Sequence, residues 1–585
     1  MSGLYDLGGL AASLSETLAA LRTDQLGEQP GAGSAPPAEL TISAHPEHGD
    51  VSTNAALVAS GKGGRPREFA AELGRRWLAG PGAGVCRSYE VAGPGFLNLF
   101  LAPDWYRGAL QNMLDAGEDY GRGVLAAAAR QRVNIEFVSV NPTGPLHVGH
   151  ARYAAMGDAL CRIFAFAGHD VTREFYINDY GTQMLKFGQS LAARCAQRLG
   201  IEMPVAEDGY QGEYLLEIAD RLLAEAGDRW HAALAAAAPD VAAVPRAVVD
   251  ELKSRGCDAV LALFRATLER LRVPFDVWKS EATLYDGPGE HRGFRGEVGK
   301  ALAEMEAEGL LFDEGGAVWL RTTAYGDDKD RVLIRQTGEP TYFLSDIAYH
   351  RDKMDRGFEH LINIWGADHH GYVPRMKAAF TALPPHDPDR LELIIGQLVN
   401  LLESGEQKRM SKRRGDIVTV DDLMDTIGVD AARFFLVGRS HDSTLDLDID
   451  LAAEESSKNP VYYVQYAHAR ICSILRNLER RSDEALPAAG EQLPPVDVGP
   501  DERALVKALS RYPLVVLDSA RRRAPHRLHA YLGELSAEFH TFYRTCRVLT
   551  DDADVTRFRT ALCLATRGTL AGGLGLLGVR APESM

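Results

Sequence analysis

Residues 133–157 read VNIEFVSVNPTGPLHVGHARYAAMG and pass from strand through loop to helix. Val133, Ile135 and Phe137 alternate with Asn134 and Glu136, and Val138 and Val140 prolong the apolar run, the pattern of a strand buried in a parallel sheet. Asn141, Pro142, Thr143, Gly144 and Pro145 end it. Leu146, Val148 and the residues from Ala151 to Met156 then begin a helix, with His147, Gly149 and His150 in its first turn. Unpaired N–H groups and the positive end of the helix dipole make that turn an anion site, and Gly149 has no side chain to keep a nucleotide off the backbone. His147 and His150, three apart on one face, can donate to phosphate oxygens whose charge is redistributed in a transition state. A pair so spaced also occurs as surface decoration or as an accidental metal pair.

The rest of the chain narrows the setting. Its 585 residues give room for about three or four domains, and 25% charged with 45% apolar residues is an ordinary globular balance. No run approaches the length of a membrane span, and the start, MSGLYDLGGLAASLSETLAAL, lacks a basic leader and reads as an amphipathic helix. The expected location is the cytoplasm, with no membrane partner. Cys86, Cys161, Cys195, Cys257, Cys472, Cys546 and Cys563 are scattered and form no C-x-x-C, so reduced core thiols are expected, with neither disulfides nor structural zinc. A net charge of −17 argues against non-specific coating of nucleic acid and against DNA as a partner. It leaves space for local basic tracks at Lys408, Arg409, Lys412, Arg413 and Arg414 and at Arg521, Arg522, Arg523 and Arg527, each of which is equally a solvated face.

Residues 1–105 read as a small α+β module, interrupted by GEQPGAGSAPPAE at 27–39, with a short strand and a helix from about Ser52. In SYEVAGPGFLNLFL, Phe96 and Asn98 share a face, which suits stacking on and hydrogen bonding to a flipped base, or equally a core Phe beside a surface Asn. Residues 106–375 carry the sheet: a second strand over Val171–Ile177 brings Asn178 and Asp179 to its carboxyl edge, an Ala/Leu/Glu-rich stretch at about 190–320 reads as a helical insertion, and HLINIWGADHHGY returns to a strand edge at Gly366, Ala367, Asp368, His369 and His370. Helices are expected to dominate 376–450, with a basic loop at Arg409, Met410, Ser411, Lys412 and Arg413, a strand-like IVTV and a capped helix at Asp421. Residues 451–585 read as almost wholly helical around a Pro-rich hinge at 486–500.

HVGH at 147–150 resembles the HIGH signature of class I aminoacyl-tRNA synthetases, and RMSKR at 409–413 resembles their KMSKS signature with Arg409 for the first Lys and Arg413 for the last Ser. The spacing from His150 to Met410, 410 − 150 = 260 positions, is too long for the small nucleotidyltransferases that carry a related first signature. FVSVNPTGPLHVGH, YINDYGTQM, DDKDRVLIRQTG, WGADHHGYVPRMKAA and NPVYYVQYAHARI are similar, over nearly the whole chain, to bacterial arginyl-tRNA synthetases. The resemblance implies a multidomain α/β protein: a split Rossmann-like parallel-sheet catalytic domain with helical insertion, a small N-terminal α+β domain contacting the tRNA D-loop, and an all-α C-terminal anticodon-binding domain.

It also implies ATP-dependent attachment of L-arginine to tRNA(Arg) through an arginyl-adenylate, with ATP brought as its Mg2+ complex, no protein-bound metal, and a monomer. The implied catalytic groups are His147, His150, Lys412 and Ser411. ATP is expected against His147, Gly149, His150, Gly366, Asp368, His369, Met410 and Lys412. Arginine is expected against Glu136, Ser139, Asn141, Tyr342, Asp346 and Asp368, with Tyr342 and Asp346 four apart on one helical face to read the guanidinium. The implied tRNA contacts are Phe96, Asn98, Tyr462, Tyr466, Arg470 and Met585. Two rival readings stay open at this point: an enzyme that adenylates a small acid without RNA, and a non-catalytic RNA-binding paralogue.

Overall fold

Strand β1 (Arg132–Glu136) is the centre of a sheet, flanked by β2 (Asp170–Ile177) and β3 (Val277–Ser280) on one side and by β4 (His360–Gly366) and β5 (Leu391–Gly396) on the other. Every pairing is parallel, in the order β5-β4-β1-β2-β3. The computed structural model describes residues 2–26, 38–43, 45–60, 64–407, 418–481 and 486–585. They fall into two compact units, one of residues 126–454 and one of residues 1–125 with 455–585.

In the first unit, Val133 and Ile135 are buried, and so are Asn134 and Glu136, because a parallel sheet covered on both faces has no wet side. The strand stops at Glu136, sooner than the apolar run predicts. Val138 and Ser139 adopt φ of 69° and 38°, a left-handed pair that cannot continue a pleat, and the Ser139 hydroxyl instead accepts the Tyr176 N–H at 3.0 Å. Helix α1 (Val148–Ala167) then packs back so closely that a Cβ on Gly157 would lie 2.3 Å from the Phe137 ring. The chain runs outward from β1 through β2 to β3 on one side and from β4 to β5 on the other. The crevice over the carboxyl ends of β1 and β4 is therefore the switch point where open α/β sheets bind ligands.

The stretch expected as a helical insertion is helical from Thr182 to Arg270, in helices Thr182–Arg198, Tyr214–Ala226, His231–Ala237 and Arg246–Arg270. It then yields β3 and the strands Leu311–Glu314 and Ala317–Leu320, which join Arg331–Ile334 in a separate antiparallel sheet. Four-residue strands that are mostly half-buried carry too little alternation to be read. Helix α2 (Tyr342–Asp355) packs beside them. Beyond β5, the region read as helical also contains the strand Val399–Glu403, paired with Glu406–Gln407 and, from beyond helix α3 (Val420–Ile427), with Leu445–Asp448.

The second unit holds an antiparallel sheet in the order Thr41–Ile42, Val51–Thr53, Phe96–Leu101, Cys86–Ala92. Because 51–53 is a strand, the helix expected near Ser52 begins at Ala55. Helix Pro103–Ala116 packs on Ala553–Leu576, and Lys507 pairs with Asp50 at 3.2 Å. The Pro-rich segment is pinned to that helix: Gly490 N–H donates to Asp115 at 2.8 Å and Leu493 N–H to Gln111 at 3.0 Å. Helices α4 (Pro460–Arg481) and α5 (Pro525–Thr545) pack together here. The seven cysteines are free thiols, six of them buried. Among the described residues no helix is long and apolar enough to cross a membrane, and no cluster of His, Cys, Asp and Glu could hold a metal.

Candidate active site

The mouth of α1 is built by its two histidines. Their rings stack with centroids 3.5 Å apart, and the His147 N–H donates to His150 Nδ1 at 3.2 Å. A Cβ on Gly149 would sit 3.0 Å from His147 Cε1, so the glycine is what lets that ring fold back over the helix N-terminus. Gly149→Ala suits a helical backbone but displaces the ring. We expect kcat/KM for a nucleotide substrate to fall by about five- to twentyfold with the melting temperature unchanged, which steady-state kinetics beside a thermal melt would check.

Next to it, the carboxyl edge of the sheet is kept flat. Gly366 and Gly396 pair across β4 and β5. A Cβ on Gly396 would lie 2.4 Å from the Tyr153 ring, whose hydroxyl donates to Gly396 O at 3.2 Å, and one on Gly366 would lie 2.6 Å from Asp368 Oδ1. Asp368 and His369 stand exposed at the rim, 3.5 Å apart. Gly396 and Tyr153 escaped the sequence reading because their role exists only once β4 and β5 are neighbours.

The first signature and the segment that follows the second, far apart in the chain, are joined by backbone. Val148 N–H donates to Val418 O at 3.2 Å, Val420 N–H to Leu146 O at 3.0 Å, and His147 bridges to Thr419. Thr419 also caps α3, accepting the Asp422 N–H at 3.0 Å while Asp422 accepts the Thr419 N–H at 2.9 Å. The residues that follow the basic loop are thus stitched to the first signature; Arg409, Met410, Ser411, Lys412 and Arg413 themselves lie outside the described residues.

On the other side of β1, between β2, β3 and α2, is an acidic pocket. Asp346, half-buried, accepts from the Tyr372 hydroxyl at 2.5 Å. Burial pushes its carboxyl up to about 7, with the Tyr372 bond opposing and Glu136 adding to the rise. Glu281, just past β3, is 2% exposed, and its Oε2 has no hydrogen-bond partner among the described residues. Burial raises it to about 8, against a Ser345 hydrogen bond and with Asp346 and Asp179 reinforcing the rise. Asp179 is tied to Ser280 Oγ at 2.6 Å and to the Ala282 N–H at 3.0 Å. The buried Tyr176 hydroxyl, also without a partner among the described residues, is raised first by burial and then by Glu281, Asp346 and Glu136. Carboxyls that burial raises and that raise one another call for a cation, and a flat, multiply donating one such as a guanidinium would satisfy them.

Tyr342 is exposed on the first turn of α2, its hydroxyl reaching toward Gly181. Glu136 meets Lys353 at 2.7 Å rather than open solvent. Ser139 is engaged with Tyr176, and Asn141 donates to Gln183 at 2.6 Å. Glu281 and Tyr176 were missed by sequence reading; Glu281 lies in a stretch read as a featureless insertion.

The second unit carries an aromatic and cationic surface. On α4, Tyr462 and Tyr466 stack, and Arg470 lies over the Tyr466 ring at 4.5 Å and donates to its hydroxyl at 2.7 Å. Helix α5 adds Tyr543, 5.1 Å beneath the same guanidinium, and His540, residues that no motif pointed to. The C-terminal tail is held along α4 by Gln465 on Arg580 O at 2.9 Å and His468 on Pro582 O at 2.8 Å, and Met585 is exposed. Phe96 is exposed, whereas Asn98, paired between Ser52 and Glu90, is buried; alternation gave them one face but not one environment.

Comparison with known proteins covers nearly the whole chain. The family described as "tRNA synthetases class I (R), catalytic domain" matches residues 109–472, "Arginyl tRNA synthetase N terminal domain" matches 9–101, and "DALR anticodon binding domain" matches 464–585. An arginine–tRNA ligase of Syntrophotalea carbinolica is 45% identical over 95% of this chain and 97% of its own length. One of Desulforudis audaxviator is 45% identical over 99% and 100%. The structure titled Thermus thermophilus arginyl-tRNA synthetase superposes with a TM-score of 0.73 at 24% identity, over 98% of this chain and 100% of that one, a likeness of fold.

Proposed function

Since the chain belongs to the arginyl-tRNA synthetase family, we propose how its residues divide the labour of attaching arginine to tRNA for translation in an ATP-dependent reaction. In the first step the arginine carboxylate attacks the α-phosphorus of Mg-ATP, forming arginyl-adenylate and releasing pyrophosphate. In the second, a hydroxyl of the terminal adenosine ribose of tRNA(Arg) attacks the adenylate carbonyl and AMP leaves. No protein nucleophile is required; the chain supplies position and charge.

His147 and His150 donate to the phosphates at the N-terminus of α1, and Lys412 with Ser411 meets the pyrophosphate as its charge grows. Met410 and His369 border the nucleotide. The nucleoside lies against the side-chain-free backbone at Gly149 and Gly366, with Asp368 on its ribose or on the amino acid. Asp346, with Tyr342, takes the guanidinium; Glu136, Ser139 and Asn141 take the α-amino and carboxylate end. For RNA, Tyr462, Tyr466, Arg470 and Met585 contact the anticodon from the helical domain at 451–585, and Phe96 with Asn98 the D-loop from the module at 1–105. The catalytic domain at 106–375 and the connecting domain at 376–450 stand between them in sequence. We place the enzyme in the cytoplasm, acting as a monomer.

The observation that carries this reading is the backbone bridge joining HVGH to the segment behind RMSKR, beside a pocket whose carboxyls a cation would satisfy. Aminoacylation of unfractionated tRNA with each amino acid tests it: only arginine should be charged. Adenylate formation from some other acid without RNA would favour the first rival, and no charging at all the second.

A pH dependence follows from the pocket. The guanidinium stays charged, so arginine binds the ionised forms of Asp346 and Glu281, whose carboxyls sit at about 7 and about 8 in the free protein. Binding therefore expels protons. Arginine affinity should rise by at least about tenfold from about pH 6 to about pH 8 and then level off. Calorimetry in buffers of different ionisation enthalpy would show the released protons; a flat profile would remove these carboxyls from the site.

A further inference from the structure

Asn363, Glu136 and Glu174 occupy matching positions on β4, β1 and β2, so three polar side chains stand in a row, each 5% exposed or less. Glu174 is held by two bonds from Arg356, both 2.8 Å, and by Asn134 at 2.7 Å. Glu136 is held by Lys353 alone among the described residues, Nζ to Oε2 at 2.7 Å, and Lys353 has no exposure at all. The same Nζ donates to Asn363 Oδ1 at 3.1 Å. The ammonium has no acceptor capacity, which fixes the direction of everything beyond it. Asn363 must turn its amide nitrogen to His350 Nε2, 2.8 Å away, and the proton of that imidazole then sits on Nδ1 and is donated to the main-chain oxygen of Asp346 at 2.7 Å. A neutral ring fits its setting, since burial and then Lys353 push its pKa down to about 3.

We propose that Lys353, backed by Asn363 and His350, is a positioning group for amino-acid recognition, holding the Glu136 carboxylate oriented for the substrate's α-ammonium and tying it to the helical turn that presents Asp346. The proposal rests on the assignment of Glu136 and Asp346 to the two ends of arginine. A carboxylate buried beside Glu174 is costly unless a cation pairs with it, and that pairing also fixes which way it points. Lys353 is that cation, and the relay through Asn363 and His350 fixes its position.

Two inhibitors separate this from mere support of the fold: agmatine, which has the amine and guanidinium, and 5-guanidinopentanoate, which has the guanidinium and carboxylate but no amine. In Lys353→Met the inhibition constant of agmatine should rise by about ten- to fiftyfold and that of 5-guanidinopentanoate by less than about threefold, with KM for ATP unchanged. Asn363→Leu, which leaves both charges in place and serves if Lys353→Met does not fold, should move the same ratio by about three- to tenfold. Equal weakening of both inhibitors in the variant measured overturns the proposal. Glu136→Gln isolates the premise: if it spares agmatine, the assignment of Glu136 fails, whatever the relay does.

Discussion

Asp346→Asn is expected to lower kcat/KM for arginine by about two to three and a half decades while KM for ATP stays within about twofold, because removing one partner of a buried charge pair typically costs about 3–5 kcal/mol. The cost is that of a guanidinium taken out of water against a neutral amide. The substituted amide could still accept from the Tyr372 hydroxyl that Asp346 engages at 2.5 Å, so the helix around it should keep its packing. It can also donate to a urea oxygen, and citrulline should gain relative to arginine in the variant. Steady-state charging of both proteins with both amino acids decides; a loss below tenfold moves the guanidinium elsewhere, to Asp368 or Glu136.

Glu281→Gln should cost about one and a half to two and a half decades in the same parameter, and its effect on the ligand-free protein should have the opposite sign. Glu281 is raised to about 8 by burial. A carboxyl whose folded pKa exceeds its unfolded value stabilises the fold fully below the unfolded pKa and loses that contribution as pH climbs through the folded one. Gln mimics the protonated form, so the ligand-free variant should melt at the same temperature as the parent near pH 4 and higher above about pH 8, while binding arginine poorly throughout. A variant that both binds poorly and melts lower at alkaline pH would mark Glu281 as a structural acid. In the double variant with Asp346→Asn the losses should not add, since both carboxyls face one cation.

The sequence disclosed the parts of this site that are local. The β1 to α1 stretch showed its strand, its breaking loop and its His–Gly–His turn because a strand ending and a helix start each leave residues next to one another. Tyr342 and Asp346, four apart, do lie in one helix as their spacing allowed, while the role expected of them came from the family resemblance. Glu281 was not legible, since nothing in its neighbours says that Ser345 and Asp346 will close over it. Residues 277–280 were lost to the helical stretch because a short edge strand has almost no period to detect. The apolar Val138 misled in the other direction: its side chain belongs to the core, as the pattern said, but its φ of 69° ends the strand rather than extending it. Asn98 shows the limit of alternation, which sorts residues by face and says nothing about what covers that face.

The division of the chain also sets a schedule for its synthesis. Residues 1–125 and 455–585 complete one unit, and everything between them forms the other. At about 5–20 residues per second, on the order of tens of seconds pass between the emergence of helix Pro103–Ala116 and that of Ala553–Leu576, the helix it packs against. The unit of residues 126–454 can fold on the ribosome in that interval, whereas the face of Pro103–Ala116 that meets Ala553–Leu576 waits uncovered for the last segment to be made. That face is thus open to chaperones and proteases until synthesis nears its end, and a premature stop near the end of the message should be felt at a helix made near its beginning.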